Sequence, residues 1–164
     1  MERPRCSALE KAMRILGVSA RSGHELTQKL IGSGYSPSEA ESAVAECVRR
    51  GYVNDALLAS DLAAGGLDRG AGVRKVRQKL LRRGLDRELV AQALEENRDR
   101  EPESARRVLA AKWRSLSGEK DPRKKRAKAF RFLTGRGFPC GLAAELIDEI
   151  NASGDDLPEY SPEE

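Results

Sequence analysis

Apolar residues return every three or four positions along most of this chain, and the intervals predict a series of short amphipathic helices. The clearest is Gly72 to Arg87, GVRKVRQKLLRRGLDR. Val73, Val76, Leu80 and Leu81 fall on one face, Lys75, Lys79 and Arg82 on the other, with Arg74 and Arg83 flanking them. Gly84 predicts a helix stop, Leu85 a return to a core and Asp86 a cap for the next helix. Before it, Ala8 to Val18 places Leu9, Ala12, Met13 and Leu16 on one face. Ser22 and Glu25 have capping-box spacing and open a helix with Leu26, Leu30 and Ile31 inward, ending at Gly32-Ser33-Gly34. Ser36, Pro37 and Glu39 start a third helix that runs to about Arg50, with Ala40, Ala43, Val44 and Cys47 or Val48 inward. Asn54 or Asp55 can cap a helix from Asp55 to Ala64. Gly65-Gly66 and Arg69-Gly70-Ala71-Gly72 then read as a flexible turn.

Beyond the central helix, Asp86 to Asn97 buries Leu89, Val90, Ala93 and Leu94. The charged residues 98–103 read as a connection, with Pro102 suited to the first turn of the next helix. That helix runs from about Glu103 through Trp113 to Leu116. Asp121-Pro122 opens another, Arg123 to Thr134, which Gly135 and Gly137 end. Phe138 re-enters the core before a last helix, Leu142 to Ile150. Residues 1–7 are expected to fray. Residues 152–164, with Gly154, Pro158, Pro162 and acidic side chains, are expected to be disordered.

The helices repeat. QKLIGSGYSPSEAESAV, QKLLRRGLDRELVAQAL and FRFLTGRGFPCGLAAELI align on Gly34, Gly84 and Gly137, at spacings of 50 and 53 residues. Leu30, Leu80 and Leu133 stand four residues before the glycine, and Tyr35, Leu85 and Phe138 one after it. Val44, Leu94 and Ile147 stand ten after it. The leucine packs the helix, the glycine supplies a left-handed stop, and the next apolar residue pins the turn. The pattern predicts an all-α fold of three tandem three-helix repeats, helix-turn-helix-like in topology: residues 1–53, 54–100 and 101–151, then the acidic tail 152–164.

Composition agrees with helices. Apolar residues make up 39% and aromatics only 4%, a palette of Ala, Leu and Val that suits packed helices better than a β-sandwich. The net charge of +4 is unevenly spread: +2, +2 and +5 over the three repeats and −5 over the tail. A basic body suits a polyanion or an acidic protein surface. The cations concentrate on the second helix of repeats two and three. Arg74, Lys75, Lys79, Arg82 and Arg83 on one, and Arg123, Lys124, Lys125, Lys128 and Arg131 on the other, are the candidate binding residues. Lys124, Lys128 and Arg131 form a stripe at helical spacing, and Arg77 lies near the apolar stripe. The first repeat's second helix offers Lys29 alone. Phe130 reads as core, as does Trp113, so base stacking is poorly supported.

Catalysis has little foothold. His24 is the single histidine and reads as an exposed or capping residue. No phosphate loop, HExxH or GxSxG motif occurs, and the glutamates form no metal cluster. No enzyme activity, cofactor or metal is expected. Cys6, Cys47 and Cys140 lack ligand spacing and read as reduced thiols of a cytoplasmic protein. No apolar run of membrane-spanning length occurs, so no membrane partner is expected.

Taken together, four stretches resemble the RecX family, regulatory proteins of the RecA recombinase. They are ALEKAMRILGVSARSGHELTQKLIGSGYSPSEAESAV, the RRGYVND junction, GVRKVRQKLLRRGLDRELVAQAL and DPRKKRAKAFRFLTGRGFPCGLAAELI, covering most of Ala8 to Ile150. The resemblance implies an all-helical, elongated and curved three-repeat modulator without an active site. It implies a protein that binds the RecA filament on single-stranded DNA and opposes its growth, ATPase, strand exchange and co-protease activity; a monomer is expected. The basic residues of repeats two and three would then meet filament or phosphate. The competing expectation is a protein that binds single- or double-stranded DNA directly.

Overall fold

The computed structural model describes residues 6–152. The expected fraying of residues 1–5 and the expected disorder of residues 153–164 lie outside the described residues. Within them the chain is all-helical: α1 Ala8–Leu16, α2 Gly23–Ile31, α3 Pro37–Arg49, α4 Asp55–Asp68, α5 Val73–Arg82, α6 Arg87–Glu96, α7 Arg100–Ser115, α8 Pro122–Gly135 and α9 Cys140–Ala152. These nine make three tandem three-helix repeats.

The helix starts obey local chemistry. Ser22 and Ser36 head full capping boxes with Glu25 and Glu39. Asp121 accepts from the N–H groups of Arg123 and Lys124, Asn54 from Leu57 and Asp86 from Glu88. Residues 6 and 7 do not fray, contrary to the sequence expectation. Ser7 heads a third capping box, with Glu10, and the Tyr35 hydroxyl donates to the Cys6 carbonyl at 2.8 Å.

The three aligned turns are one structure made three times. Gly34, Gly84 and Gly137 have φ of 93, 73 and 93°. Residues Tyr35, Leu85 and Phe138 each donate their N–H to the aligned leucine, Leu30, Leu80 and Leu133, at 3.3, 3.4 and 3.2 Å. This is the six-to-one bond of a Schellman stop. All six of those leucine and post-glycine side chains are buried.

The flexible turn expected at Gly65-Gly66 is instead helix, because α4 continues to Asp68. Packing overrides the low helix propensity of glycine here. Ala63 and Leu67 on either side are fully buried, and a Cβ on Gly66 would lie 2.8 Å from Val76 Cγ2. The missing side chain lets α5 approach α4. Some apolar stripes are narrower than expected: Met13, Ile31 and Leu81 are all more than a third exposed. At the end of α3 it is Cys47 that is buried, while Val48 is exposed.

The described residues form two compact units. One contains the chain up to Leu62 with Lys79–Glu96; the other contains Ala63–Gln78 with the chain from Asn97 onward. The first unit holds a core of Ala12, Leu26, Leu30, Tyr35, Ala40, Ala43, Cys47 and Val53. The second holds Ala105, Leu109, Trp113, Leu133, Phe138, Leu146, Ile147 and their neighbours. The middle repeat divides between the units, within α4 and within α5.

Candidate functional site

The candidate cations separate into free and committed groups. On α5, Arg74, Lys75, Lys79 and Arg82 are exposed. Lys75, Lys79 and Arg82 keep the i, i+4, i+7 spacing that makes a stripe along one helix. Among the described residues these four have no carboxylate partner, and Arg77 is likewise exposed. On α8, Arg123, Lys124, Lys128 and Arg131 are exposed. Lys124, Lys128 and Arg131 repeat the same spacing.

Three of the candidate cations on α8 have local partners, and Arg126, beside them on the helix, pairs with Asp148. Lys128 Nζ donates to Glu119 Oε2 at 2.6 Å. That ammonium, with the Asp121 N–H, holds the Glu119 carboxyl below its usual range. The lysine end of the pair is exposed while Glu119 is mostly covered; a bridge with one end in water is weak. Arg131 Nε donates to the Ala127 carbonyl at 3.2 Å, and this leaves the guanidinium's other N–H groups available. Lys125 is half-buried, its ammonium 4.3 Å from the centre of the Trp113 ring. Trp113 is therefore both a core residue and the platform for a cation.

Arg83 is different. Its guanidinium grips Glu25 at 2.6 and 2.9 Å and the Ala20 carbonyl at 3.1 Å. Its side chain is only 19% exposed, so a partner arriving from solvent finds little of it. Burial alone would raise the Glu25 carboxyl; the Arg83 guanidinium and the Ser22 N–H together hold it below its ordinary value. The structure thus brings Arg83 to α2 rather than to the exposed stripe.

Arg136 was not among the candidates, yet it is built in the same manner. Its Nη1 donates to the Gly70 carbonyl at 3.0 Å, and the guanidinium lies 4.9 Å from the Phe132 ring centre. Glu101, also not singled out, accepts the Val73 N–H at 2.8 Å. Burial pushes its carboxyl up, against the lowering effect of that hydrogen bond. The sequence did carry a signal for the arginines, since both immediately precede the aligned stop glycine while Ser33 holds that place in the first repeat.

Further chemistry is sparse in the described residues. No group of three or more His, Cys, Asp or Glu could hold a metal ion, and no helix is long and apolar enough to cross a membrane. A groove of about 1260 Å³ in the first repeat lies between Cys6–Leu9 and the residues around Gly34 and Glu39, and it contains none of the candidate cations. His24 is exposed at the start of α2.

Comparison with known proteins identifies the repeats. Family models match in order: RecX, first three-helix domain, over residues 8–47; RecX, second three-helix domain, over 54–94; and RecX, third three-helix domain, over 99–147. Regulatory protein RecX of Deinococcus radiodurans is 36% identical over 150 residues, which cover 91% of this chain and 71% of that protein. Its namesake from Amycolatopsis mediterranei is 33% identical, over 95% of this chain and 86% of that one. The crystal structure of RecX from Lactobacillus salivarius superposes with a TM-score of 0.80 at 18% identity, covering 88% of this chain and 95% of that one. Three domain matches in sequence order, a shared fold and relatives of this similarity along nearly the whole length make the chain a member of the RecX family.

Proposed function

We propose that this chain is a non-enzymatic modulator of the RecA recombinase. It binds the RecA filament on single-stranded DNA and limits its growth, ATPase, strand exchange and co-protease activity. It does so as a cytoplasmic monomer, and so acts on recombination, DNA repair and the SOS response. The observation that supports this most directly is the set of exposed cations on equivalent helices that, among the described residues, form no ion pair with a carboxylate: Arg74, Lys75, Lys79 and Arg82 on α5, and Arg123, Lys124 and Arg131 on α8, of which Lys124 has Glu119 nearby. Solvated surface cations normally alternate with acids; here they accumulate on the second helix of two repeats. Such stripes suit phosphate or acidic protein surface.

The same free cations favour a second reading, direct binding of single- or double-stranded DNA. The two differ in what they need. A filament binder acts only with RecA present. A phosphate binder holds bare DNA, and its affinity falls with salt at a log–log slope of roughly −0.7 per contact on single strands.

The test is the DNA-dependent ATPase of RecA with this protein titrated in, beside a binding curve on bare single-stranded DNA. Suppression at amounts well below RecA, with weak binding to bare DNA, is the expected result. Suppression only at amounts that coat the DNA would transfer the assignment to direct DNA binding. Lys79→Glu combined with Arg82→Glu is expected to weaken suppression by about tenfold or more, as loss and reversal of charge at two contacts should. Unchanged suppression would remove α5 from the contact surface.

A further inference from the structure

We infer that the chain builds one joint twice, and that Arg83 and Arg136 are its positioning residues, each anchoring the turn of its own repeat on the start of the second helix of the repeat before. Both joints lie wholly inside a compact unit, the first within residues 20–25, 55 and 83–84, the second within residues 70–75, 101 and 136–137.

Aligned on the stop glycines, the two sets of contacts use the same acceptors on equivalent residues, with one change of donor from a hydroxyl to a backbone N–H. The carbonyl of the arginine before the glycine is the acceptor in both: Ser22 Oγ donates to Arg83 O at 2.5 Å, and Gly72 N donates to Arg136 O at 2.9 Å. Ser22 and Gly72 are equivalent positions. The guanidinium of the same arginine reaches the carbonyl two residues before that position, Ala20 at 3.1 Å and Gly70 at 3.0 Å. The following residue, Gly23 or Val73, donates its otherwise orphaned N–H to a carboxylate on the first helix of the next repeat. That carboxylate is Asp55 Oδ1 at 3.0 Å in one joint and Glu101 Oε1 at 2.8 Å in the other.

The approach is close enough to require the glycine. A Cβ on Gly84 would lie 2.4 Å from His24, and one on Gly137 would lie 2.6 Å from Lys75. A single such contact could arise by chance. Two equivalent hydrogen bonds, and a third that keeps its acceptor and residue position, occur in both joints and mark a repeated device for satisfying helix-start N–H groups and turn carbonyls.

The joints also differ: among the described residues, the Arg74 N–H donates to the Gly137 carbonyl at 3.2 Å in the second alone. Glu25 pairs with Arg83 in the first joint, and its equivalent in the second is Lys75. Arg136 instead has the Phe132 ring beneath it. Among the described residues the first joint holds an ion pair and the second does not.

This assigns Arg83 to holding the fold rather than to touching a partner. Only the consequence for binding rests on the function proposed above; the joint itself does not.

The test uses the full-length protein and four variants: Arg83→Glu, Glu25→Arg, the swap carrying both, and Lys79→Glu as the exposed control. Thermal midpoints and the salt slope of binding to oligo(dT) are measured for each. Arg83→Glu is expected to lower the midpoint by about 3–6 °C, and the swap to recover at least half of that loss by restoring opposite charges. The slope is expected to stay at the wild-type value in Arg83→Glu and in the swap, and to fall by roughly 0.7 in Lys79→Glu. A swap no more stable than the summed single variants overturns the joint, as does a swap that fails to fold. A lower slope in Arg83→Glu that the swap does not restore makes Arg83 a contact residue and overturns its assignment. If the wild type binds neither oligo(dT) nor the RecA filament, the proposed function fails, and the midpoints alone still decide the joint.

Discussion

At the residue scale, the glycines separate by what a side chain would strike. A Cβ on Gly72 would lie 2.2 Å from Phe138 N, a backbone atom that cannot step aside, whereas one on Gly118 would meet nothing within 4 Å. Gly72→Ala is therefore expected to cost about 2–4 kcal/mol and Gly118→Ala close to nothing, read as shifts in the denaturant midpoint. Two of the joint carboxylates, Glu25 and Glu101, respond to pH in opposite senses. Glu25 is held below its ordinary value of 4.5 in the folded state. It therefore contributes stability above about that pH and loses it as the pH falls through the lowered value. Glu101 is raised above 4.5 by burial, so the folded state favours its protonated form and loses stability as the pH rises from about 4.5 through the raised value. Glu25→Gln should lower the thermal midpoint at pH 7, with the deficit shrinking toward pH 3. Glu101→Gln keeps the acceptor for Val73 N–H and should leave the pH 7 midpoint unchanged or higher. Midpoints measured from pH 3 to 8 decide both.

At the scale of elements, much was legible in the sequence, for local reasons. Capping boxes at Ser22 and Ser36, the Asp121-Pro122 start and the three glycine stops depend on residues within a few positions of one another, and each is found where its spacing puts it. The features that were not legible depended on contacts between distant segments. Gly65 and Gly66 look like a turn until Val76 is seen resting against Gly66. Arg83 looks like one more cation of a basic stripe until Glu25, 58 residues earlier in the chain, is seen beside it. The equivalence of the two joints also predicts the effect of a charge change on α5. Lys75 stands where Glu25 stands in the first joint, so Lys75→Glu should supply Arg136 with the acid it lacks. The expected result is a midpoint higher by about 2–4 °C together with weaker binding to phosphate. A midpoint that falls would show that the two joints are not equivalent at this position.

At the scale of the molecule, sequence repeats and compact units are different partitions of one chain. The repeats occupy residues 8–47, 54–94 and 99–147, whereas each unit gathers one joint with the helices around it. The hydrogen bonds of a repeat are thus completed by its successor: the start of α2 bonds to Asp55 and Arg83, and the start of α5 to Glu101 and Arg136. That split between successive repeats bears on how such a chain can change by duplication. A second copy of residues 54–100 would bring everything a new neighbour needs, with Asp55 and Arg83 to reach backward and Gly72 and Val73 to receive the turn of the next repeat. A second copy of the first repeat would arrive with Ser33 in place of the arginine. A second copy of the third would present Lys125, packed against Trp113, where Gly72 leaves room for the next turn. By these contacts the middle repeat is the one whose copy would supply both halves of a joint.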